Sequence, residues 1–70
     1  MMPLNYANPG EENIIRKIGG NPAMKKHLED LGFVPGSDIT VLNELGGNII
    51  VKVKEARIAV SKEMAQKIMI

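Results

Sequence analysis

The stretch HLEDLGFVPGSDITVL, from His27 to Leu42, contains two chain-breaking pairs, Leu31-Gly32 and Pro35-Gly36. Gly32 comes directly after a helical pattern, and a glycine in the left-handed conformation commonly ends a helix. Pro35-Gly36 suits the two central positions of a type II turn, in which glycine takes the positive φ angle. The stretch therefore predicts a short helix that stops abruptly and is followed by a tight turn and a strand.

The start of this helix is also marked in the sequence. Asn21 can cap it, and Pro22 fits its first position because the missing N–H has no intrahelical partner there. Side chains suited to one helix face recur at i, i+3, i+4 and i+7, namely Met24, His27, Leu28 and Leu31. We predict a helix from Pro22 to Leu31, with His27 partly buried at the edge of its apolar face.

The remaining sequence has the pattern of short strands separated by turns. A first strand near Glu12–Ile18 is expected to be irregular, because its isoleucines do not alternate. A second strand follows the Pro-Gly turn, with Ile39 and Val41 on one face. The segment NELGGN then closes a hairpin into a third strand, residues 48–54, whose lysines point away from its valines.

The C-terminal third predicts the last elements of the fold. In the strand EARIAV, the side chains expected to face inward are Ala56, Ile58 and Val60. Ser61 can cap a single helical turn. The final IMI can form a last strand edge or can contact a neighbouring molecule, so the oligomeric state stays open.

These elements favour a closed sheet over an open one. Short strands accompanied by so little helix cannot cover both faces of an open sheet, whereas closure removes the sheet edges. The sequence therefore predicts a mainly β fold, a small SH3-like barrel of about five short strands. One inserted helix, Pro22 to Leu31, and a single helical turn before the last strand complete it as one domain, residues 1–70.

Composition limits the location and the partners of the chain. The absence of cysteine excludes disulfides and thiolate metal sites, and fits a reducing cytoplasm. No apolar run approaches the roughly 20 residues that span a membrane, so we expect a cytoplasmic protein without direct membrane insertion. Nine basic and eight acidic residues, with one Tyr and one Phe, disfavour nucleic-acid binding.

The sequence gives no indication of an enzyme. His27 is the single histidine, so we expect neither a two-histidine zinc site nor a histidine-paired nucleophile within one chain. Ser37 and Ser61 are accounted for by turn and cap positions. His27 and Asp30, three positions apart on the helix, could supply two ligands to a metal ion. Such a site would need further carboxylates, from Glu11, Glu12 or another copy of the chain. The alternative to a metal ligand is that His27 is a partly buried structural residue.

Two sets of exposed charges are candidate partner-binding surfaces. Lys25 and Lys26 precede Glu29 and Asp30 by four residues, which is the less favourable order for helical ion pairs, and they place cations at the positive end of the helix dipole. Because such local conflicts collect at functional surfaces, the first candidate is Lys25, Lys26 and Glu29. The second is the basic group Lys52, Lys54 and Arg57. The alternative for both is an ordinary solvated face.

The order of segments resembles the FeoA family of small cytoplasmic proteins associated with bacterial ferrous iron uptake. The similarity runs through MPLNYANPGE, IGGNPAMKKHLEDLGFVPGSDITVL and IIVKVKEARIAVSKEMAQKI. The ending RIAVSKEMAQKI is similar to the Ala-Leu-(Lys/Arg)-x-x-x-Ala ending of the family, carried here by Ala59, Val60 and Ala65. This chain departs in its short NELGGN hairpin and in Glu55-Ala56, where a Gly is common.

The resemblance implies a function as well as a fold. It implies an SH3-like barrel that acts with FeoB, the membrane ferrous iron transporter with a cytoplasmic GTP-binding domain. It also implies binding of a transition metal ion such as Fe²⁺, and a relation to the SH3-like C-terminal domain of iron-dependent repressors. We therefore expect a non-enzymatic accessory protein of ferrous iron uptake; a metal-responsive regulatory domain and, less favoured, a nucleic-acid-binding barrel are the alternatives.

Overall fold

Short β-branched runs between glycine and proline breaks give this chain six strands, two short α-helices and one 3₁₀ turn. The computed structural model describes residues 1–70. In chain order the elements are the 3₁₀ turn Leu4–Tyr6, β1 Glu12–Ile14, β2 Lys17–Ile18, α1 Pro22–Asp30, β3 Asp38–Leu45, β4 Asn48–Val53, β5 Ala56–Ser61, α2 Lys62–Ala65 and β6 Ile68–Met69. The predicted mainly β fold, with one inserted helix and a helical turn before the last strand, is confirmed.

The sheet bends where the isoleucines fail to alternate. The expected first strand is divided into β1, which pairs with β3, and β2, which pairs with β6. Between them, the Ile15 N–H donates to the Ser37 carbonyl at 2.9 Å and the Arg16 N–H donates to the Met69 carbonyl at 2.8 Å. One continuous segment thus passes from the four-stranded sheet β1-β3-β4-β5 to the two-stranded sheet β2-β6, and closes the barrel.

The core lies between these two sheets and contains only apolar side chains. Alternation directs every second residue of β4 inward, and in β3 it does so up to Val41, where the register shifts. Fourteen residues are buried, namely Leu4, Ile15, Ile18, Leu28, Phe33, Ile39, Val41, Ile49, Val51, Val53, Val60, Ala65, Ile68 and Ile70. The C-terminal tail therefore completes the barrel, and the backbone of Ile70 exchanges hydrogen bonds with that of Met2 at 2.9 and 2.8 Å.

Local hydrogen bonds fix both ends of α1. At its start, Asn21 Oδ1 accepts from the Met24 N–H at 2.8 Å, as predicted for the cap. At its end, the Phe33 N–H donates to the Leu28 carbonyl and the Gly32 N–H donates to the Glu29 carbonyl, both at 2.9 Å. This pair of bonds is the Schellman motif, and its apolar partners are Leu28 and Phe33, both buried.

The Pro35-Gly36 pair forms the expected tight turn. Gly36 has a φ of +92°, the left-handed value that a type II turn requires at this position. The Ser37 N–H donates to the Val34 carbonyl at 3.1 Å, and the Gly36 N–H donates to the Ile15 carbonyl at 2.7 Å. The turn is thus bonded to the bend between β1 and β2, which holds the start of β3 in register.

Three side-chain positions differ from the sequence-based expectation. His27 is exposed rather than partly buried, and Leu31 keeps 37% of its surface exposed. The reason is that α1 touches the barrel through the row of Met24 and Leu28, while His27 lies about 100° around the helix axis from Leu28. Ala56 is exposed, because it begins the edge strand β5 directly after a hairpin turn.

Replacing Gly32 with alanine is expected to lower the free energy of unfolding by about 1–2 kcal/mol. Gly32 has a φ of +105°, while an added Cβ would meet its nearest atoms at 3.8 and 3.9 Å, so the cost comes from the backbone and not from a clash. Gly19→Ala is the matched control, since Gly19 has an ordinary φ and its nearest contact is 3.5 Å. Urea denaturation of both variants checks this; equal midpoints would contradict the backbone argument.

Candidate functional site

The outer face of the four-stranded sheet carries a line of polar side chains that crosses all four strands. Glu12 on β1 lies opposite Thr40 on β3, Thr40 lies opposite Lys52 on β4, and Lys52 lies opposite Arg57 on β5. These residues point away from the core because their neighbours in β3 and β4 are the buried ones. We call this set, Glu12, Thr40, Lys52 and Arg57, the outer row.

A cleft of about 390 Å³ opens beside the outer row. We call it the outer cleft, and its lining is Glu12, Gly36, Ser37, Asp38, Thr40, Lys52 and Lys54, without an apolar side chain. The turn that holds Gly36 forms one wall, which explains why the position of that turn matters for the site. The outer cleft is therefore a polar surface feature, unlike the mostly apolar pockets that bind small molecules.

Charges of opposite sign occupy opposite sides of the outer cleft. The carboxylates of Glu12 and Asp38 belong to β1 and β3, while the ammonium groups of Lys52 and Lys54 belong to β4 and the turn after it. None of the four forms an ion pair within 4.0 Å; the ion pairs of this chain lie elsewhere, at Lys26–Asp30 and Lys62–Glu44. These charges remain available to groups on another molecule.

Lys54 joins the outer cleft to the end of α1. It has a φ of +55°, the left-handed conformation that costs a non-glycine residue roughly 1 kcal/mol. Its Cδ lies 3.8 Å from the position that a Cβ on Gly32 would take. The Lys54 stem therefore passes close to Gly32, and the basic group on the sheet adjoins the C-terminal end of the helix.

The helix face predicted as a partner surface is exposed along its length. Lys25, Lys26 and Glu29 are all exposed on α1. Lys26 Nζ lies 3.8 Å from Asp30 Oδ1, with both side chains largely in solvent, so this pair stabilises the helix by a small amount only. The two predicted partner sets thus lie on different elements, Lys25, Lys26 and Glu29 on α1, and Lys52, Lys54 and Arg57 on β4, β5 and the turn between them.

The predicted metal ligands do not assemble into a metal centre within one chain. His27 and Asp30 are both exposed on α1, and Asp30 faces Lys26. No group of three or more His, Cys, Asp or Glu side chains is arranged to hold a metal ion, so neither Glu11 nor Glu12 joins the pair. Two exposed ligands beside a lysine do not provide the three or four donors typical of protein metal sites. Within one chain, His27 and Asp30 therefore do not form a complete metal site.

Sequence reasoning identified the basic side of the outer cleft but missed its acidic side. Asp38 and Thr40 alternate with the buried residues of β3, so the period-two pattern did indicate that they point outward. What it could not indicate is that β1 and β4 flank β3, because strand order depends on contacts distant in sequence. The one functional role that the sequence indicated for Glu12 was that of a possible metal ligand.

The fold and its charged exterior define a class, the small SH3-like barrels. The crystal structure of Stenotrophomonas maltophilia FeoA complexed with zinc, described as a prokaryotic SH3 domain protein, aligns with a TM-score of 0.84. The alignment has 23% identity and covers 99% of this chain and 88% of that chain, and it shows the fold alone. The model of the FeoA domain matches residues 2–70. The chain belongs to the FeoA domain family, which confirms the resemblance found in the sequence.

Two further relatives agree with this assignment, and a transcriptional repressor shares the fold over part of its length. "Putative Fe(2+) transport protein A" of Methanocaldococcus jannaschii is 34% identical over 70 residues, which are 100% of this chain and 85% of that protein. A crystal structure of the iron uptake regulatory protein FeoA is 34% identical, with a TM-score of 0.85 over 96% of this chain and 89% of that chain. A manganese-dependent transcriptional repressor is 25% identical, with a TM-score of 0.83 over 94% of this chain but only 38% of that chain.

Proposed function

We propose that this chain is a non-enzymatic accessory protein of ferrous iron uptake. It acts in the cytoplasm by docking on the cytoplasmic part of an FeoB-type transporter, whose cargo is Fe²⁺. The observation that carries the proposal is the match of the FeoA domain to residues 2–70, together with 34% identity over the whole chain to a relative named for Fe²⁺ transport. Neither α-helix has the length and apolar composition of a membrane-spanning segment.

A docking role fits the distribution of charge on the barrel. Lys25, Lys52, Lys54 and Arg57 have no carboxylate within 4.0 Å, so they can pair with acidic groups of a partner without first losing an internal ion pair. Charged surfaces of this kind raise association rates and fix the orientation of a complex.

The consequence of docking is a shift between states of the transporter. An accessory protein changes a conformational equilibrium only as far as it binds one state more tightly than another. A small barrel presents its rim, its sheet face and α1 as fixed surfaces, so it can select one arrangement of a partner without rearranging itself. We assign first contact to Lys25, Lys26 and Glu29, with Lys52, Lys54 and Arg57 as the second contact.

Reversing two charges on α1 is expected to weaken transporter binding by about tenfold or more, equivalent to about 1.4 kcal/mol. The variant is Lys25→Glu/Lys26→Glu, and the measurement is a pull-down with the cytoplasmic region of the transporter. Lys17→Glu/Lys67→Glu is the matched control, because both residues are exposed and lie on or beside the two-stranded sheet. This control changes the net charge by the same amount as the α1 variant. If both variants lost the same amount of transporter binding, the effect would be due to net charge and not to the α1 face. No binding by the wild type would overturn the proposal.

A metal-responsive regulatory domain is the second candidate function. It is favoured by the alignment with a manganese-dependent transcriptional repressor, at a TM-score of 0.83. It requires that Mn²⁺ or Fe²⁺ at micromolar concentration broadens the NMR signals near His27 and Asp30, and that His27→Ala removes the effect. Unchanged signals throughout the titration would exclude these two residues as ligands.

A further inference from the structure

We propose that the outer cleft, together with the adjoining Arg57, binds an extended polypeptide segment that carries a basic and an acidic side chain four positions apart. The segment lies across the strands, with its basic side chain over Glu12 and Asp38 and its acidic side chain over Lys52 and Arg57. This proposal rests on the proposed docking function, because the segment that binds belongs to the docking partner. It adds which chemistry the partner presents and where that chemistry is recognised.

The spacing follows from the order of the strands. Glu12 is on β1 and Arg57 is on β5, three strand intervals apart in the order β1-β3-β4-β5. Neighbouring strands lie about 4.8 Å apart, so the outer row spans about 14 Å. An extended chain advances roughly 3.3 Å per residue and alternates sides, so residues four apart lie about 13 Å apart on one side. The two charges of such a segment therefore match the two ends of the row.

The lining of the outer cleft excludes other classes of ligand. It contains no apolar side chain, so an apolar small molecule would gain little from burial there. The carboxylates of Glu12 and Asp38 would repel the phosphates of a nucleic acid, and the ammonium groups of Lys52 and Lys54 would repel a lone metal cation. A chain with charges of both signs satisfies both sides at once.

The uncharged groups of the outer cleft support the same ligand. The hydroxyl groups of Ser37 and Thr40 form no hydrogen bond with another group of the chain. Thr40 lies between the acidic and the basic side, since it is paired with both Glu12 and Lys52, and Ser37 is part of the same lining. Such groups can donate to or accept from the backbone of a segment that crosses them. The cleft thus offers polar contacts along its width as well as charges at its ends.

The experiment uses the full chain, labelled with ¹⁵N, and three capped peptides at low salt. In each peptide two charged residues flank three Ser or Thr residues: one peptide has Lys and Glu, one has two Lys, and one has two Glu. We expect the mixed peptide to bind about threefold or more tightly than either of the others, with shifts centred on the amides of Thr40 and Lys52. Binding should weaken at high salt because the charges are exposed.

Two exposed charge changes distinguish recognition from nonspecific attraction. Glu12→Lys leaves the row basic at both ends, so the preference should switch to the peptide with two Glu. Glu12→Lys/Asp38→Lys/Lys52→Glu/Arg57→Glu exchanges the charges of the two ends, and it should keep the preference for the mixed peptide, which can bind in the opposite direction. Equal binding of the three peptides, no binding at all, or a wild-type preference for two Glu would overturn the proposal. The transporter is absent from this experiment, so its result is independent of the docking function.

Discussion

Replacing Phe33 with alanine is expected to unfold the protein. Phe33 is fully buried, and its N–H forms the bond to the Leu28 carbonyl that ends α1. Truncation of a buried Phe costs about 3–5 kcal/mol, while a single core of this size supplies roughly 3–5 kcal/mol of net stability. The variant should therefore lose most of its cooperative unfolding transition at 25 °C, as measured by circular dichroism with urea.

The other aromatic residue provides the control for this result. Tyr6 keeps 68% of its surface exposed, so Tyr6→Ala should change the free energy of unfolding by no more than about 0.5 kcal/mol. A Phe33→Ala variant whose midpoint matches that of Tyr6→Ala would show that α1 is not held to the barrel through Phe33. The explanation of the abrupt helix end would then fail.

Deleting residues 68–70 is expected to have a comparable or larger effect. The deletion removes Ile68 and Ile70 from the core, the pairing of β2 with β6, and the two backbone bonds between Ile70 and Met2. Each buried isoleucine alone is worth about 2–5 kcal/mol by comparison with alanine substitution. The shortened chain should show no folded NMR spectrum.

A double substitution distinguishes the contribution of the buried side chains from that of the backbone pairing, both of which the deletion removes. Ile68→Ala/Ile70→Ala keeps the strand pairing, so it should lower the free energy of unfolding by a large amount, but by less than the deletion does. Met69→Ala, at a half-buried position, should lower the free energy of unfolding by less than the double substitution. A deleted chain that unfolds at the same urea concentration as the wild type would show that the tail lies outside the barrel.

The elements predicted correctly depend on local chemistry. Asn21, Pro22 and Gly32 define the helix because a cap bond, a missing N–H and a positive φ act within a few residues of each other. Alternation in β3 and β4 is local in the same sense, while the barrel was predicted from the number of short strands and the small amount of helix. The 3₁₀ turn Leu4–Tyr6, with Leu4 fully buried, was not predicted, since three residues without a cap carry little signal.

The candidate site was only partly predictable because it depends on long-range arrangement. Lys52, Lys54 and Arg57 could be grouped from sequence, since the strands β4 and β5 form one hairpin. Glu12 and Asp38 join them only through the pairing of β1 with β3 and of β3 with β4. The exposure of His27 was likewise not predictable, because which row of α1 packs on the barrel, that of Met24 and Leu28, is a tertiary contact.

The most direct test of the account is an NMR titration of the ¹⁵N-labelled chain with the unlabelled cytoplasmic region of the transporter. The account predicts saturable shifts on α1 around Lys25, Lys26 and Glu29 and in the outer cleft around Thr40 and Lys52. Shifts confined to the side that carries β2 and β6 would contradict the assigned surfaces, and a spectrum unchanged at saturating concentration would contradict the docking function itself.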